Sequence, residues 1–417
     1  MATEQTFIIV GAGLTGAKAA EALRAEGFDG RVVLIGDEPE RPYERPPLSK
    51  DYLRGEADRP YVHDEGFYAD NRIELWTETR AAAIDAGSGE VVLDDDRRLG
   101  YDRLLIATGA EPRRLSLPGA ELDGVHYLRT LADSERIGAR FEPGRHFVVV
   151  GAGWIGSEIA ASARQKGCEV TMIESAELPL LRVLGAEVGR IYRDLHVANG
   201  VEFLPESGVE RFDGDGSVER VVTGAGKAIE ATDVVVGIGV APRTGLAEAA
   251  GLRLDNGILV DESLETSVPG IFAAGDVANA FHPFYGRHIR VEHWANALNQ
   301  GPAAAGAMLG EPVRYEEIPY FFSDQYDTGM EYSGFATEWD EVVFRGDVDG
   351  RELIAFWLKD ERLVAGMNLN VWDVNDAIRG LIRSRRTLAA GDLSDPGIAL
   401  EELAGSGVGA AGATDGG

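Results

Sequence analysis

The feature that most constrains the fold of this chain is an internal repeat. The segments "FIIVGAGLTGAKAAEALRAEGFDGRVVLIGDE" and "FVVVGAGWIGSEIAASARQKGCEVTMIES" each hold an apolar strand pattern, a glycine-rich turn, an alanine-rich helix pattern and a second strand pattern that ends in an acid. Downstream, "RLLIATGAEPR" follows the first unit and "DVVVGIGVAPR" follows the second. Strands that alternate with helices in this way form parallel sheets with crossover helices. The sequence therefore predicts two similar α/β modules in tandem.

Both glycine turns have the spacing of a dinucleotide-binding turn. They are Gly11-x-Gly13-x-x-Gly16 and Gly151-x-Gly153-x-x-Gly156. Between a strand and a helix, such glycines let the backbone approach a pyrophosphate at the positive helix N-terminus. An acid about twenty residues further on holds the ribose hydroxyls, and the candidates are Asp37, with Glu38 as its alternative, and Glu174. The chain is predicted to bind two dinucleotides.

Charge and cysteine content exclude several classes of function. The net charge of −30 argues against nucleic acid or an anionic membrane as a partner, since both would be repelled. An apolar strand pattern begins near the N-terminus in place of a signal peptide, and no apolar run approaches the ~18 residues of a membrane helix, so a cytoplasmic location is expected. The single cysteine, Cys168, is expected to be a core residue. One cysteine also holds no iron–sulfur cluster.

The chain changes character toward its C-terminus. The segment "HWANALNQGPAAAGAMLG" has the small residues of a buried helix, and "TSVPGIFAAGDVA" holds a short strand with a Gly-Asp turn. From about Ile318 onward, strand-like runs separated by turn residues predict an antiparallel sheet. The Gly/Ala-rich end, residues 404–417, is predicted to be a disordered tail.

Several further motifs carry a resemblance to a known family. These are "RPYERPPLSK", the "ATG" of residues 107–109, "FAAGDVA", "EHWANALNQG" and "PYFFSDQYD". With the two glycine turns, they resemble the flavin-dependent ferredoxin reductases of the putidaredoxin, rubredoxin and aromatic-dioxygenase reductase group. The resemblance implies an α/β fold with two Rossmann-like, glutathione-reductase-like domains and a C-terminal α+β domain. The implied boundaries are residues 1–112 and 243–317 for a discontinuous FAD-binding domain, 113–242 for an NAD-binding domain and 318–403 for the C-terminal domain.

The resemblance assigns FAD to the first module and NADH to the second. The residues that it places at the FAD are Gly11, Gly13, Leu14, Gly16, Asp37, Lys50, Ala81, Thr108, Gly109, Arg129, Asp276 and Trp294. Those that it places at the NADH are Gly151, Gly153, Ile155, Gly156, Glu158, Glu174 and Gly239. Glu174 stands where NADPH-using relatives carry a basic residue, and a carboxylate there repels a 2′-phosphate. Arg182 is the nearby cation that would weaken this preference for NADH.

Lys50 and Glu158 are the candidate catalytic residues. Taken alone, Lys50 reads as a surface lysine and Glu158 as a carboxylate in the first turn of a helix, stabilised by the helix N-terminus. The resemblance instead implies that Lys50 lies beside the flavin and Glu158 beside the nicotinamide, so we expect an ion pair between the two modules. Prolines at 42, 46 and 47 would hold Lys50 on a stiff turn or helix start. Two of the residues placed at the FAD have other possible roles: Asp276 as a cap of the next helix, and Trp294 as a residue that packs the start of a helix.

The resemblance implies a flow of electrons from NADH through FAD to a [2Fe-2S] ferredoxin, which feeds a cytochrome P450 or a Rieske-type oxygenase. Ferredoxins are typically acidic, so a chain of net charge −30 needs a local basic patch. The candidates for this patch are Arg379, Arg383, Arg385 and Arg386, with Arg287 and Arg290 as a second set. The histidines show no ligand spacing, and no metal site is predicted.

Two alternatives use similar folds. In an NADH oxidase, a peroxidase or a disulfide reductase, redox cysteines would fall near Pro42 and Pro47, and the absence of thiols there excludes disulfide chemistry. A flavoprotein related to apoptosis-inducing factor would act by binding, and its basic surface for nucleic acid conflicts with the net charge of −30.

Overall fold

The first module is a parallel sheet with crossover helices in the computed structural model, which describes residues 5–405. Its elements are β1 Thr6–Val10, α1 Leu14–Ala25, β2 Arg31–Ile35, α2 Phe67–Asp70, β3 Ile73–Trp76, β4 Ala81–Asp85, β5 Glu90–Leu93, β6 Arg98–Gly100, β7 Arg103–Ile106 and β8 Ala110–Pro112. Strands β7, β1, β2 and β3 lie side by side and parallel, and β4 to β6 form an antiparallel meander. The apolar run 7–10 suits a strand that is buried on both faces.

The second module repeats this plan. Its elements are β9 Val125–His126, α3 Leu131–Gly138, β10 His146–Val150, α4 Trp154–Gln165, β11 Glu169–Ile173, α5 Leu181–Ala198, β12 Val201–Leu204, β13 Val209–Asp213, β14 Arg220–Thr223, β15 Ala228–Glu230, β16 Asp233–Val236 and β17 Val240–Pro242. The parallel sheet has the order β12–β11–β10–β16–β9, and β13 to β15 form the matching meander. Strands β17 and β8 pair antiparallel where the chain crosses between the modules.

The chain returns to the first module after β17. The elements of this segment are α6 Gly245–Ala249, β18 Ile258–Val260, β19 Ile271–Ala273, β20 Ala278–His282, β21 Arg287–Arg290 and α7 Trp294–Leu309. Strand β19 pairs with β7 and completes the first sheet. The predicted buried helix is confirmed as α7, which packs so closely on α1 that a Cβ at Gly301 would lie 2.5 Å from the Thr15 carbonyl oxygen. The residue boundaries of the domains stay a prediction.

The C-terminal domain is a five-stranded antiparallel sheet with three short helices, as its sequence pattern predicts. Its elements are β22 Tyr320–Gln325, β23 Thr328–Gly334, β24 Glu341–Asp347, β25 Glu352–Lys359, β26 Arg362–Leu369, α8 Asn375–Ser384, α9 Ala390–Ser394 and α10 Leu400–Ala404. Strand β25 is apolar from Leu353 to Leu358, and both of its faces are covered. Leu353 and Trp357 face a core shared with α5, whereas Ile354 and Phe356 face α8 and its neighbours.

The shared core fixes the C-terminal sheet against the second module. The indole Nε1 of Trp357 donates to the Leu184 carbonyl of α5 over 3.1 Å, and both side chains are fully buried. The α/β fold class with two Rossmann-like modules and a C-terminal α+β domain is therefore confirmed. Within residues 5–405, no helix is both long and apolar enough to cross a membrane. The tail predicted for residues 404–417 stays a prediction, since Ala404 is the last residue of α10 and residues 406–417 lie outside the described part of the chain.

Candidate active site

The two glycine turns have matching backbone geometry. Gly11 and Gly151, the first glycine of each turn, have φ angles of 121° and 98°, which favour glycine. A Cβ at the third glycine, Gly16 or Gly156, would lie 2.0 Å from the carbonyl oxygen of the first. The first and third glycines are thus required by the packing of the chain itself.

The middle glycines are not required by the protein. A Cβ at Gly13 or Gly153 would meet no protein atom within 4 Å. Each residue is the N-cap of the helix that follows and, as a glycine, has no side chain to cap it, so the first amides of α1 and α4 are left to an outside acceptor. An open space beside free amides at a helix N-terminus suits a pyrophosphate. Leu14 and Ile155 are the first and second residues of these helices.

Asp37, Thr108 and Gly109 are brought together by Arg243. The Arg243 guanidinium donates to Asp37 over 2.8 Å, and the Thr108 hydroxyl donates to the Arg243 carbonyl over 2.8 Å. The Arg243 amide donates to the Gly109 carbonyl. Burial acts to raise the pKa of Asp37, but the hydrogen bond and charge of Arg243, together with a backbone hydrogen bond and Arg80, hold the pKa below its ordinary value. Asp37 therefore stays an ionised acceptor, as a ribose site needs.

Glu38, the alternative acid for binding the ribose, already has a hydrogen-bond partner at each carboxylate oxygen. Arg45 donates to one carboxylate oxygen over 2.8 Å, and the Tyr43 hydroxyl donates to the other. The structure thus favours Asp37. Ala81 begins β4 and is buried, and it follows Thr79, whose amide donates to the Gly36 carbonyl at the same edge of the sheet.

Arg129 and Asp276 form an ion pair, with Nη2 of Arg129 3.1 Å from Oδ2 of Asp276. Asp276 lies in a 3-10 turn directly after β19, at the carboxyl end of the first sheet, where sites in α/β folds assemble. No described backbone amide is capped by this carboxylate, so the capping alternative is not supported. A Cβ at Gly109 would lie 3.3 Å from the Arg129 guanidinium, which places this pair beside the "ATG" turn.

His293 and Trp294 present unpartnered polar atoms at the start of α7. His293 is the N-cap and Trp294 the first residue of the helix. Among the described residues, neither the buried Nδ1 of His293 nor the buried Nε1 of Trp294 has a hydrogen-bond partner. Burial lowers the pKa of His293 to about 4, and the Asp276 charge offsets this only in part. Buried polar atoms without protein partners are expected where a polar ligand edge completes the site.

Glu174 lies against the second glycine turn. Its carboxylate accepts from the Ala152 amide over 2.7 Å and from the Ala176 amide over 2.9 Å. Ile155 is 43% exposed at the mouth of the same turn. Gly239 has a φ of 93°, and its neighbour Ile238 is 37% exposed with its side chain 3.5 Å from a Cβ placed at Gly151.

Lys50 and Glu158 are brought together as expected. Nζ of Lys50 lies 2.8 Å from Oε2 of Glu158, and the side chains are only 11% and 4% exposed. Lys50 follows the end of the 3-10 turn Pro46–Ser49, not the start of a helix, and also donates to the Pro46 carbonyl over 3.2 Å. Glu158 is the fifth residue of α4 and lies in its second turn, so the expectation of a first-turn carboxylate was wrong. A buried ion pair adds little stability, which points to a role in function.

Two serines that the sequence analysis missed complete the surroundings of Glu158. The Ser49 hydroxyl donates to Oε2 over 2.5 Å, and the Ser323 hydroxyl of β22 donates to Oε1 over 2.6 Å. The neighbouring Asp324 has its pKa raised, first by burial and further by Glu158, while Lys50 acts to lower it. Both serines lie inside motifs noted above, "RPPLSK" and "FFSDQYD", but only the fold shows their common target.

The two predicted arginine sets converge on one surface. Burial raises the pKa of Tyr285, and the charges of Arg383, Arg287 and Arg385 each lower it in part, which places all three around one ring. Arg386 follows at the exposed end of α8. We call Arg287, Arg383, Arg385 and Arg386 the arginine patch.

The other two predicted docking arginines differ from this group. The prediction that Arg290 is a docking residue was wrong. Its side chain is only 9% exposed, pairs with Glu292 and donates to the Asp276 carbonyl over 3.1 Å. It supports the Asp276 turn and offers no surface cation. Arg379 is half-buried, with its guanidinium over the Tyr320 ring at 5.0 Å. No group of His, Cys, Asp and Glu within residues 5–405 is arranged to hold a metal ion.

Comparison with known proteins gives two family matches and several full-length relatives. Residues 5–301 match the pyridine nucleotide-disulphide oxidoreductase family, and residues 320–404 match the reductase C-terminal family. The chain is 41% identical to the anthranilate 1,2-dioxygenase system ferredoxin–NAD(+) reductase component of Burkholderia cepacia, over 94% of this chain and 95% of that protein. It is 37% identical to rhodocoxin reductase of Rhodococcus erythropolis, over 95% and 93%.

A solved structure has the same fold over the same length. A chain in the crystal structure of the covalent putidaredoxin reductase–putidaredoxin complex superposes with a TM-score of 0.92 at 35% identity. The match covers 97% of this chain and 98% of that chain.

His196 of α5 gives a prediction for the pH dependence of stability. The ring is fully buried, and burial lowers its pKa to about 4, which the Gln325 hydrogen bond offsets only in part. Between about pH 6.5 and 4, the unfolded histidine binds a proton that the folded one does not, so stability falls as the pH falls, by about 3 kcal/mol in total. Above pH 6.5 this histidine has no effect on the pH dependence.

The measurement is the free energy of urea unfolding of the wild type and His196→Gln from pH 7 to 4.5. The variant should be less stable at pH 7 but should lose stability less steeply on acidification. His288→Gln, at an exposed position of β21, is the matched control and should keep the wild-type slope. Equal slopes for all three proteins would contradict the assignment of a neutral buried His196.

Proposed function

The chain belongs to the pyridine nucleotide-disulphide oxidoreductase family and, within it, to the ferredoxin reductases, and on that premise we propose that it passes electrons from NADH through FAD to a [2Fe-2S] ferredoxin. The observation that carries the proposal is the buried Lys50–Glu158 pair, which joins the two dinucleotide-binding modules. When bound, FAD accepts a hydride from NADH and releases single electrons to an iron–sulfur centre.

The protein's own residues are proposed to hold the cofactors. The open turns at Gly13 and Gly153 leave room for the two pyrophosphates, and Asp37 and Glu174 accept from the ribose hydroxyls. Hydride transfer needs no general base, so Glu158 serves to hold the Lys50 ammonium in place rather than to move a proton. Glu174 is itself held by two amides, and its fixed charge disfavours the 2′-phosphate of NADPH.

Thiol chemistry is not part of this proposal, despite the family name. Cys168, the single cysteine, is fully buried in the core of the second module, and burial raises the pKa of its thiol. Positions 42 and 47, where redox cysteines would stand, are prolines. The chain is therefore expected to move electrons directly between cofactors.

The arginine patch is the proposed docking surface for the ferredoxin. Arg379 stacks on Tyr320, which is three residues before Ser323 on β22, or about 10 Å along the strand. The patch side of the C-terminal domain is thus connected to the Lys50–Glu158 pair by one short strand. Related reductases serve a dioxygenase system and a rhodocoxin, so a Rieske-type oxygenase and a cytochrome P450 both remain candidate electron acceptors further along. The cytoplasmic location stays a prediction.

The proposed function is tested with the FAD-loaded protein and NADH. Reduction of cytochrome c should be slow without a ferredoxin and should rise with the concentration of an added acidic [2Fe-2S] ferredoxin, because the flavin then has its own one-electron acceptor. Oxygen consumption measured in parallel shows whether the protein acts instead as an NADH oxidase. Equal rates of cytochrome c reduction with and without each of several ferredoxins would contradict the reductase proposal.

The middle glycines allow the cofactor assignment to be tested one module at a time. Gly13→Ala should fold with wild-type stability, since its Cβ meets no protein atom, but should lose FAD. Gly153→Ala should keep FAD and raise the Kd for NADH by about tenfold or more, because its methyl group meets the pyrophosphate. Flavin content and NADH titration measure both effects.

Gly16→Ala is the contrasting variant in the same turn. Its Cβ would lie 2.0 Å from the Gly11 carbonyl oxygen, so it should lower the thermal midpoint. FAD retention by Gly13→Ala, or loss of FAD on Gly153→Ala, would contradict the assignment of the two turns.

Charge reversal tests the docking surface. Arg383→Glu with Arg386→Glu should lower kcat/KM for the ferredoxin, and more strongly at low salt, because the attraction is screened over about 10 Å at 0.1 M ionic strength. Direct reduction of ferricyanide by NADH should be unchanged.

The matched control is Arg97→Glu with Arg98→Glu. These arginines are 54% and 57% exposed on the first meander, so the control changes net charge equally, far along the chain from the patch. An equal loss in both double variants would indicate a general charge effect, and no loss in either would remove the arginine patch from the proposal.

A further inference from the structure

A chain of hydrogen bonds runs from Glu158 through the C-terminal sheet and ends beside α5. Ser323 Oγ lies 2.6 Å from Oε1 of Glu158, and Nε2 of Gln325 lies 3.3 Å from Ser323 Oγ. Oε1 of Gln325 lies 3.0 Å from Nε2 of His196, and Nδ1 of His196 lies 3.1 Å from the Tyr326 hydroxyl. The chain therefore leaves the second module at α4, crosses β22 and returns to that module at His196.

The charge of Glu158 fixes the direction of every bond in this chain. Glu158 is paired with Lys50 as a carboxylate, which only accepts, so the Ser323 hydroxyl must donate its single proton to it. Ser323 Oγ can then only accept from Gln325, which turns the Gln325 amide nitrogen toward Ser323 and its oxygen toward His196. A carbonyl oxygen needs a donor, so His196 carries its proton on Nε2.

The remaining nitrogen of His196 follows from the same logic. In the neutral ring, Nδ1 has no proton and accepts from the Tyr326 hydroxyl. The four bonds thus point the same way, toward the negative charge, and such chains strengthen one another in a low-dielectric interior. Ser323, Gln325 and His196 are buried to within 1% of complete, so water does not substitute for a missing link.

The opposite side of the carboxylate is held by the first module. Ser49 and Lys50 both donate to Oε2, while Ser323 is the donor to Oε1. Each oxygen of Glu158 is therefore held by a different domain of the protein. If the donor to Oε1 were lost, the carboxylate would be free to turn about its Cγ–Cδ bond, and the position of the Lys50 ammonium would no longer be fixed.

We infer that Ser323, Gln325 and His196 are positioning residues for the Lys50–Glu158 pair, so that the C-terminal sheet sets the geometry of the hydride-transfer site. This inference rests on the proposed function and adds a role for the C-terminal domain other than docking. The hydrogen-bond chain acts through Ser323, because among Ser323, Gln325, His196 and Tyr326 only Ser323 contacts Glu158.

The first test is the limiting rate at which NADH reduces the flavin of the FAD-loaded protein, followed by stopped flow. Ser323→Ala should lower this rate about tenfold, the effect of losing one hydrogen bond to a charged group. Ser323→Thr keeps the hydroxyl and should restore most of the rate. Ser333→Ala removes a buried hydroxyl of the same sheet that bonds to Asn375, and should reduce at the wild-type rate.

A double-mutant cycle shows whether Ser323 acts through Glu158. In a Glu158→Gln background, Ser323→Ala should cost less than about twofold, since the charge that it positions is gone. A full tenfold loss in that background would overturn the inference, as would wild-type reduction by Ser323→Ala alone.

A second readout needs no turnover. Nitrogen-15 NMR of histidine-labelled protein should show His196 protonated on Nε2 and not on Nδ1, with His196→Gln used to assign its signals. Glu158→Gln should alter these shifts three links away, while Ser333→Ala leaves them unchanged. A proton on Nδ1 in the wild type would overturn the direction of the chain. A wild-type flavin that NADH fails to reduce would instead refute the proposed function, and the NMR result distinguishes the two failures.

Discussion

The charge of Glu158 is the interaction on which the arrangement of the three domains depends. A carboxylate that is 4% exposed is costly unless donors contact both of its oxygens, and removal of one partner of such a pair costs about 3–5 kcal/mol. No single domain supplies all the donors. Lys50 and Ser49 come from the first module, Ser323 comes from the C-terminal sheet, and Glu158 itself lies on a helix of the second module. The three domains must therefore meet at this point for the charge to be buried at all.

The rigid turn before Lys50 is also explained by the buried charge of Glu158. Pro46 and Pro47 start the 3-10 turn and fix φ there, so little entropy remains to be lost when Lys50 is placed. The Pro46 carbonyl then accepts from the ammonium of Lys50 itself, and Ser49 from the same turn reaches Glu158. A stiff segment that presents two consecutive donors to one carboxylate is a physical reason for the two adjacent prolines, Pro46 and Pro47, at this point of a nucleotide-binding module.

The elements that a local pattern determines were predictable from the sequence. Strand, glycine turn and helix follow one another within thirty residues, and the third glycine is required by a contact inside that unit, Gly16 against the Gly11 carbonyl. The residues that the sequence analysis missed act on groups that are far away in the sequence. Arg243 reaches Asp37, and Ser323 reaches Glu158, over separations that no periodicity encodes. Arg290 was wrongly assigned to the surface because the sequence shows its charge but not the Asp276 turn that it supports.

The same distinction between local and long-range effects applies to charge. A net charge of −30 describes the chain as a whole, yet a partner within a Debye length of the surface responds to the nearest groups. The arginine patch is assembled from the basic end of α8 and from Arg287 of β21, and the fold brings these charges together around Tyr285. Strand β22 begins under Arg379 and ends in the hydrogen-bond chain to Glu158, and so one strand borders both the proposed docking side and the cofactor site. The C-terminal domain is in this sense part of the proposed active site, because the buried carboxylate lacks its third donor without it.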